Sequence, residues 1–302
     1  MKSRKTTILQ PKKIASFHNE TLLTGPCVRN MSQNSKAVPV TDICISSLGR
    51  RISLLASQVS DYLDRKDSPQ PTLEAHGGDV PEDPQYEALR ASLNDAALDL
   101  LFLVNGPRIT LRDMFFSHYD LAAMQVALNR GFFSHVPLSP GPTNDHGVSQ
   151  AASISVIDIA VKSGMDEDRT AALLKLLASR RIFQQVEQVD NEVEHFKHTA
   201  LSASLARDAE WHSLADMKLD DMFKASSELS TLITHSPYDS SSTKSAFQQR
   251  FGTTMYQYYD QNPEKGTRFA HAMSSWSKGE FNIYLKWLCE LRGLLNALFY
   301  SQ

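Results

Sequence analysis

The stretch Ser155–Lys162, SVIDIAVK, with Ser163–Gly164–Met165 and the acidic run Asp166–Glu167–Asp168 behind it, decides how the rest of the chain is read. SVIDIAVK reads as a short helix and Ser163–Gly164–Met165 as a turn. Asp166 is a good cap for a second helix, and Glu167 and Asp168 fall in its first turn, where acids complement the helix dipole. That helix carries Leu173, Leu174, Leu176 and Leu177. Two β runs follow, Ile182–Val186 and Val193–Phe196, joined by the polar turn Val189–Asp190–Asn191–Glu192, and Thr199 caps the next helix. Helix, turn, helix and a two-stranded wing make a winged helix.

Upstream, Asp42–Leu63 reads as an amphipathic helix, with Ile45, Leu48, Ile52, Leu55, Val59 and Leu63 at spacings of three and four. Ser68–Pro84 holds Pro69, Pro71, Pro81, Pro84 and the pair Gly77–Gly78, the composition of a linker. Tyr86–Val104 is a second helix ended by Gly106–Pro107, and Leu111–Arg130 a third, with Gly131 at its C-cap. A first helix on so long a tether is expected to pack on another subunit, which predicts dimerisation. Downstream, 205–235 and 245–275 are helical, separated by the serine-rich loop Ser236–Ser245. The expected organisation is a disordered or misplaced tail at 1–40, a helical dimerisation region at 41–135, a winged-helix module at 136–210, a helical substrate and hinge region at 211–278, and an apolar helical tail at 279–302. The expected fold class is mainly α, a helical dimerisation domain with a central winged-helix module, and a Rossmann-like cofactor domain absent.

A hydrophobic fraction of 41% over 302 residues is enough for a real core, and a net charge of -3 gives no electrostatic reason to expect a nucleic acid or an anionic membrane as partner. Cys27, Cys44 and Cys289 are too scattered for a disulfide framework or a metal site, so a reducing, cytoplasmic compartment is expected. No run of about 18 uncharged apolar residues marks a membrane span. Residues 1–30 set Lys2, Arg4, Lys5, Lys12, Lys13 and Arg29 against the single acid Glu20. That is the composition of a transit peptide or of a disordered tail, and Met31 offers an alternative start.

The winged helix lacks the footprint of a DNA reader. Asp166, Glu167 and Asp168 stand where a recognition helix meets phosphates, and Glu187, Asp190, Glu192 and Glu194 make the wing acidic. It is read as a scaffold or protein–protein element. No glycine-rich phosphate loop and no nucleophile motif is present. His195 and His198 would point to opposite faces of a strand, so no metal site is expected. The richest aromatic segment is Phe247–Trp276, where Phe269, Met273 and Trp276 share a helical face. Core packing and the wall of a pocket for a flat aromatic ligand both suit that stripe. Phe269, Met273, Trp276, Met255 and Tyr259 are the substrate-pocket candidates.

Phe251–Gly252–Thr253 through Tyr258–Tyr259, Gln261–Asn262–Pro263–Glu264–Lys265, Arg268–Phe269 and Ala272–Met273–Ser274 resemble the hinge region of fungal secondary-metabolite O-methyltransferases, relatives of the plant caffeate-type enzymes. Gly106–Pro107–Arg108, Arg181–Ile182–Phe183 and His198–Thr199–Ala200 match in the same order, so the resemblance spans roughly 42–277. It implies a helical, winged-helix dimerisation half that lends residues to a phenolic pocket. It also implies S-adenosylmethionine as the family's cofactor, bound by a Rossmann-like half that supplies the catalytic residues. After Ser277 the sequence departs from that pattern, running GEFNIYLKWLCELRGLLNALFYSQ without phosphate-cradling glycines. The resulting expectation is a family member truncated before its cofactor domain, with no catalytic residue and no bound cofactor or metal of its own, inactive alone. Its expected partners are a second copy or a full-length methyltransferase, and a small aromatic or polyketide substrate. A non-catalytic dimerisation partner or pathway co-activator, and a cofactor-free cyclase, are the alternatives.

Overall fold

The computed structural model describes residues 43–138, 152–186, 193–238 and 244–278. The chain divides into two units between Ile43 and Cys44, and of the first only Ile43 lies among the described residues. The expectations for residues 1–40, for the wing turn at 189–192 and for the tail at 279–302 lie outside the described residues.

Helix α1 (Ile45–Arg65) buries Tyr62 and Leu63, and these cluster with Tyr86 near the start of α2 (Pro84–Asn129). The Tyr62 and Tyr86 rings lie 5.8 Å apart. The tethered helix therefore packs on its own chain, contrary to the sequence reading. The physical reason lies in the segment between them, which is strapped down rather than loose. Gln70 donates to the Asp64 carboxylate at 2.8 Å, Lys197 donates to Glu74 at 2.9 Å, and the Ala200 amide donates to the Leu73 carbonyl at 3.0 Å. Gly77 sits so close that an added Cβ would stand 2.4 Å from the Thr72 carbonyl oxygen. Proline-rich composition excludes helix but says nothing about whether the backbone docks.

The helices read as Tyr86–Val104 and Leu111–Arg130 are one element, α2, interrupted by a kink. Gly106 takes φ 68° and ψ 170°, outside helical space, and Pro107 lacks the N–H that would bridge it. Helical bonding resumes directly afterwards and runs to Arg130, where Gly131 at φ 70° opens the short helix α3 (Phe132–His135).

The central elements are β1 (Ile154–Ser155), α4 (Val156–Ser163), α5 (Glu167–Ser179), β2 (Phe183–Val186) and β3 (His195–His198). Ser155 caps α4 by accepting from the Asp158 amide, Gly164 ends it at φ 63°, and Asp166 caps α5 by accepting from the Arg169 amide. Both strand pairings are antiparallel, in the order β1-β3-β2, with Phe196 opposite Ile154 on one side and Gln185 on the other. The two-stranded wing of the sequence reading is thus a three-stranded sheet. Two residues of β1 are too few to show the alternation that marks a strand. Phe132, Phe133, Ile159, Leu174, Leu177, Phe183 and Phe196 form the core beneath these elements.

The remainder is helical: α6 (Ala200–Arg207), α7 (Ala209–Met217), a π-helical turn (Lys218–Met222), α8 (Phe223–Ser226), α9 (Leu229–His235), α10 (Ala246–Phe251), α11 (Met255–Gln261) and α12 (Pro263–Lys278). Leu214, Met217, Met222, Ala225, Phe247, Tyr259 and Ala272 form a second core among them. Among the described residues no helix is long and apolar enough to cross a membrane.

Candidate functional site

The aromatic segment folds because each of its short helices is capped by its own sequence. Ser245 accepts from the Gln248 amide to start α10, and Gly252 at φ 74° ends it. Thr254 and Gln257 form a reciprocal capping box on α11, and Pro263 opens α12. The turns this tight bring the rings together. Phe247 is fully buried, with Phe251 4.6 Å away, and Phe251 lies 4.6 Å from Tyr258. Tyr259 and Phe269 stack at 4.6 Å with their planes 20° apart. Offset ring pairs of this kind add about 0.5–1.5 kcal/mol beyond their area burial.

Of the five pocket candidates, the structure brings three into one cluster. Tyr259 is buried, and Phe269 and Met255 are half-buried against it. Tyr259 and Phe269 turn their faces to each other. Met273, one helical turn beyond Phe269, is 36% exposed and lies at the open edge of this cluster's helix. Trp276 is a further turn along α12, its side chain outside the described residues.

Sequence reasoning missed the charged network beneath the rings. The wide π-helical turn places the adjacent residues Asp220 and Asp221 both inward, with Asp221 wholly buried. Lys265 donates to Asp221 at 2.6 Å and to Asp220 at 3.0 Å. Arg268 donates to Asp216 at 2.8 Å, to Asp220 at 3.2 Å and to Asp221 at 2.5 Å. Lys224 closes the set on Asp220. Burial alone would raise the Asp220 carboxyl, but hydrogen bonds from Lys224 and Lys265 overcome it and hold its pKa well below the usual carboxylate range. Burial likewise opposes the charge on Lys265 and Arg268, and the carboxylates outweigh it, raising both. Burial, then the charge of Asp221, pushes the Tyr259 hydroxyl above the ordinary tyrosine range, while Arg268 pulls it down. One signal was available: Asp216 and Asp220 on one segment, and Lys265 and Arg268 on another, interrupt apolar stripes that carry Met217 and Ala272.

The matched motifs around β3 converge on a structural knot. His198 is buried, and burial favours its neutral form, with Nε2 donating to the Val136 carbonyl at 3.0 Å and Nδ1 accepting from Ser202 at 2.8 Å. The Thr199 hydroxyl is shared between the carbonyls of Arg181 and Ile182, at 2.9 and 2.8 Å. Arg181 itself takes φ 63°, a left-handed turn that this hydroxyl helps hold. Lys175 of α5 pairs with Glu194 at 2.8 Å, and Arg180, at the C-cap of α5, pairs with Asp120 at 2.7 Å. Among the described residues no cluster of His, Cys, Asp and Glu is arranged to hold a metal ion.

A different surface lies on α2. Leu101, Phe102, Leu103 and Val104 are consecutive and all exposed, and Met114, Phe115, Phe116 and Tyr119 continue the exposure beyond the kink. Four successive residues sweep the whole circumference of a helix, so α2 is apolar all round here, the mark of a helix that another surface encloses.

No profile of a known protein family matches the chain. It is 40% identical over 230 residues to O-methyltransferase sol2 of Alternaria solani, covering 76% of this chain and 50% of that protein. It is 27% identical over 217 residues to O-methyltransferase phnC of Penicillium herquei, covering 70% of this chain and 47% of that protein. Among solved structures, OxaC in complex with SAH and oxaline aligns with TM-score 0.57 at 15% identity, over 76% of this chain and 50% of that one. LepI in complex with SAM aligns with TM-score 0.52 at 16% identity, over 75% and 50%. These neighbours correct the expected fold class. The solved structures that share its fold are S-adenosylmethionine-dependent methyltransferases, which include a Rossmann-like domain, so a mainly α class defined by that domain's absence does not stand. The described residues of this chain form a largely helical layer with a three-stranded sheet, and the expected class was read from such a layer alone. Among the described residues the donors for that cofactor are not assembled. The clustered carboxylates Asp216, Asp220 and Asp221 are taken by Lys and Arg, and the positive-φ glycines 106, 131, 164 and 252 stand singly at helix ends or the kink. No step of methyl transfer is assigned to these residues. The chain spans about half the length of the curated relatives it matches, and those relatives are fungal secondary-metabolite O-methyltransferases.

Proposed function

We propose that residues 44–278 form the substrate-binding and dimerising part of an O-methyltransferase system that acts on a small aromatic or polyketide hydroxyl, with S-adenosylmethionine as the methyl donor of the system. The observation that carries this reading is the 40% identity to O-methyltransferase sol2 across three quarters of the chain. The helix–turn–helix and its sheet act as a winged-helix scaffold. The acidic start of α5 and the pairing of Lys175 and Arg180 with carboxylates argue against nucleic acid as partner. The substrate wall is Met273 at the open edge, with Phe269, Met255 and Tyr259 behind it and Trp276 continuing the same helix. Two copies pair through α2, whose all-round apolar stretch supports an interlocked contact rather than a flat one. The scattered cysteines support a reducing, cytoplasmic setting.

The test combines the purified chain with a panel of phenols and naphthols, read by isothermal calorimetry, and with methyl-labelled S-adenosylmethionine, read by product counting. Phenol binding weakened at least fivefold by Met273→Ala supports the substrate wall. Failure of every phenol to bind overturns it. Sedimentation of the same sample reads the pairing. The homodimer supports it, a monomer at micromolar concentration refutes it, and pairing only after addition of a full-length methyltransferase assigns the α2 surface to that partner instead.

A further inference from the structure

We propose that Arg268 is a positioning residue: with Asp216, Asp220 and Asp221 it locks α12 in one rotational register, the register in which Phe269 stacks on Tyr259 and Met273 stays at the surface. The apolar contacts of the described side chains of α12 specify that register weakly. Among the described side chains of α12, Ala272 is the one fully buried apolar member of the second core, and Phe269 is only half-buried. Gly266 allows the α11–α12 corner to close, since a Cβ there would stand 2.9 Å from the Tyr259 carbonyl oxygen, but it contributes no side chain to key the helix. The guanidinium is different. It is a rigid planar fork, here only 16% exposed, and carboxylates on two neighbouring segments read it at once: Asp216 from α7, and Asp220 and Asp221 from the π-helical turn. Rotating α12 by one residue, roughly 100°, would swing the fork, and Lys265 with it, away from these carboxylates and leave Asp221 buried without its cations. Lys265 repeats the arrangement one turn earlier, reaching Asp220 and Asp221, with its ammonium 5.3 Å from the Tyr258 ring centre. Lys224 and the partly buried Lys218 complete the charged groups on the π-helical turn and α8. Buried ion pairs are often poor sources of net stability and better sources of register. The lock stands on this geometry and is independent of the methyl-transfer reading.

The experiment compares the whole chain with Arg268→Leu and Arg268→Lys by hydrogen exchange over residues 263–278, and by spectrophotometric tyrosine titration against a Tyr259→Phe reference that isolates the Tyr259 signal. The expected result for Arg268→Leu is at least tenfold faster exchange in α12, with Tyr259 now ionising in the ordinary tyrosine range because the helix that buries it has turned away. Arg268→Lys, which keeps the charge and loses the fork, is expected to give an intermediate loosening. Unchanged exchange, with Tyr259 ionising still higher than before, overturns the proposal: that is the signature of losing a nearby positive charge while the helix stays in place. If Arg268→Leu fails to fold, Asp216→Asn removes one arm of the fork at a partly exposed site. A two- to threefold rise in exchange confined to α12 supports the lock, and no rise or a uniform rise overturns it.

Discussion

Replacing Asp221 with asparagine tests the charged network at its most buried point. The Asp221 side chain has no exposure, and its two oxygens accept from Lys265 at 2.6 Å and Arg268 at 2.5 Å. Asparagine keeps the shape but keeps one acceptor only. Its amide hydrogens then face an ammonium or a guanidinium, donor against donor. The remaining acids, Asp216 and Asp220, must serve Lys224, Lys265 and Arg268 together. Breaking a buried pair from one side costs about 3–5 kcal/mol. Asp220 and Asp216 are partly open to water and retain their own partners, which places the loss at the low end, about 3 kcal/mol. For a chain of this size the corresponding fall in melting temperature is roughly 6–12 °C. Calorimetry and urea unfolding measure it. Adding Arg268→Leu removes the cation left in excess, so the double variant should fall short of the sum of the singles by about 1.5 kcal/mol or more. A melting temperature within 2 °C of the parent for Asp221→Asn, or strict additivity of the pair, would show that the network is a surface ornament and refute the reasoning.

The same network sets an acid limit. Asp220 has a folded pKa held below its unfolded value, so its contribution is fully present above the ordinary carboxylate range and is lost as pH falls through and below about 4. Urea midpoints measured from pH 7 downward should decline there, and Asp220→Asn should flatten the decline. Phe247→Ala removes a wholly buried ring from the second core and should cost about 3–5 kcal/mol, read by urea unfolding. Gly131→Ala forces a side chain into φ 70° with His135 Nε2 only 3.1 Å from the new Cβ, and should cost about 1–2 kcal/mol; a neutral result would mean that α2 and α3 join differently. On the proposed pairing through α2, Phe116→Glu on its exposed face should shift sedimentation from dimer to monomer while leaving the circular dichroism spectrum unchanged.

Local signals were legible in the sequence wherever one residue does a job that only its side chain can do. Asp166 and Thr199 accept from the amides that a starting helix leaves bare, and Gly131 and Gly164 adopt the left-handed conformation that ends one. The rings Tyr259 and Phe269 were visible as parts of an aromatic run, and Met273 as a helical turn from Phe269. What they do was not visible, because stacking on each other or on a ligand needs the same residues at the same spacing. Features that depend on distant partners were not legible either. Asp216 and Arg268 lie 52 positions apart and meet only because α12 returns across α7. The docking of the proline-rich segment depends on Glu74 finding Lys197, 123 positions on.

The π-helical turn joins these two kinds of information. In an α-helix, Asp220 and Asp221 would be about 100° apart, and one of them would leave the interior. The wider turn brings both to Lys265 and Arg268, at the cost of a poorer local hydrogen-bond pattern. A local distortion of that kind persists only if the surroundings hold it. Here the holding groups are the two cations of α12, so the turn and the helix depend on each other. The dependence has a measurable consequence. Weakening α12 should loosen residues 218–222 in hydrogen exchange before it loosens the sheet, since β1, β2 and β3 belong to a separate core. Simultaneous loosening of both cores would show instead that the cation–carboxylate contacts stabilise the molecule as a whole and that the turn owes its shape to something else.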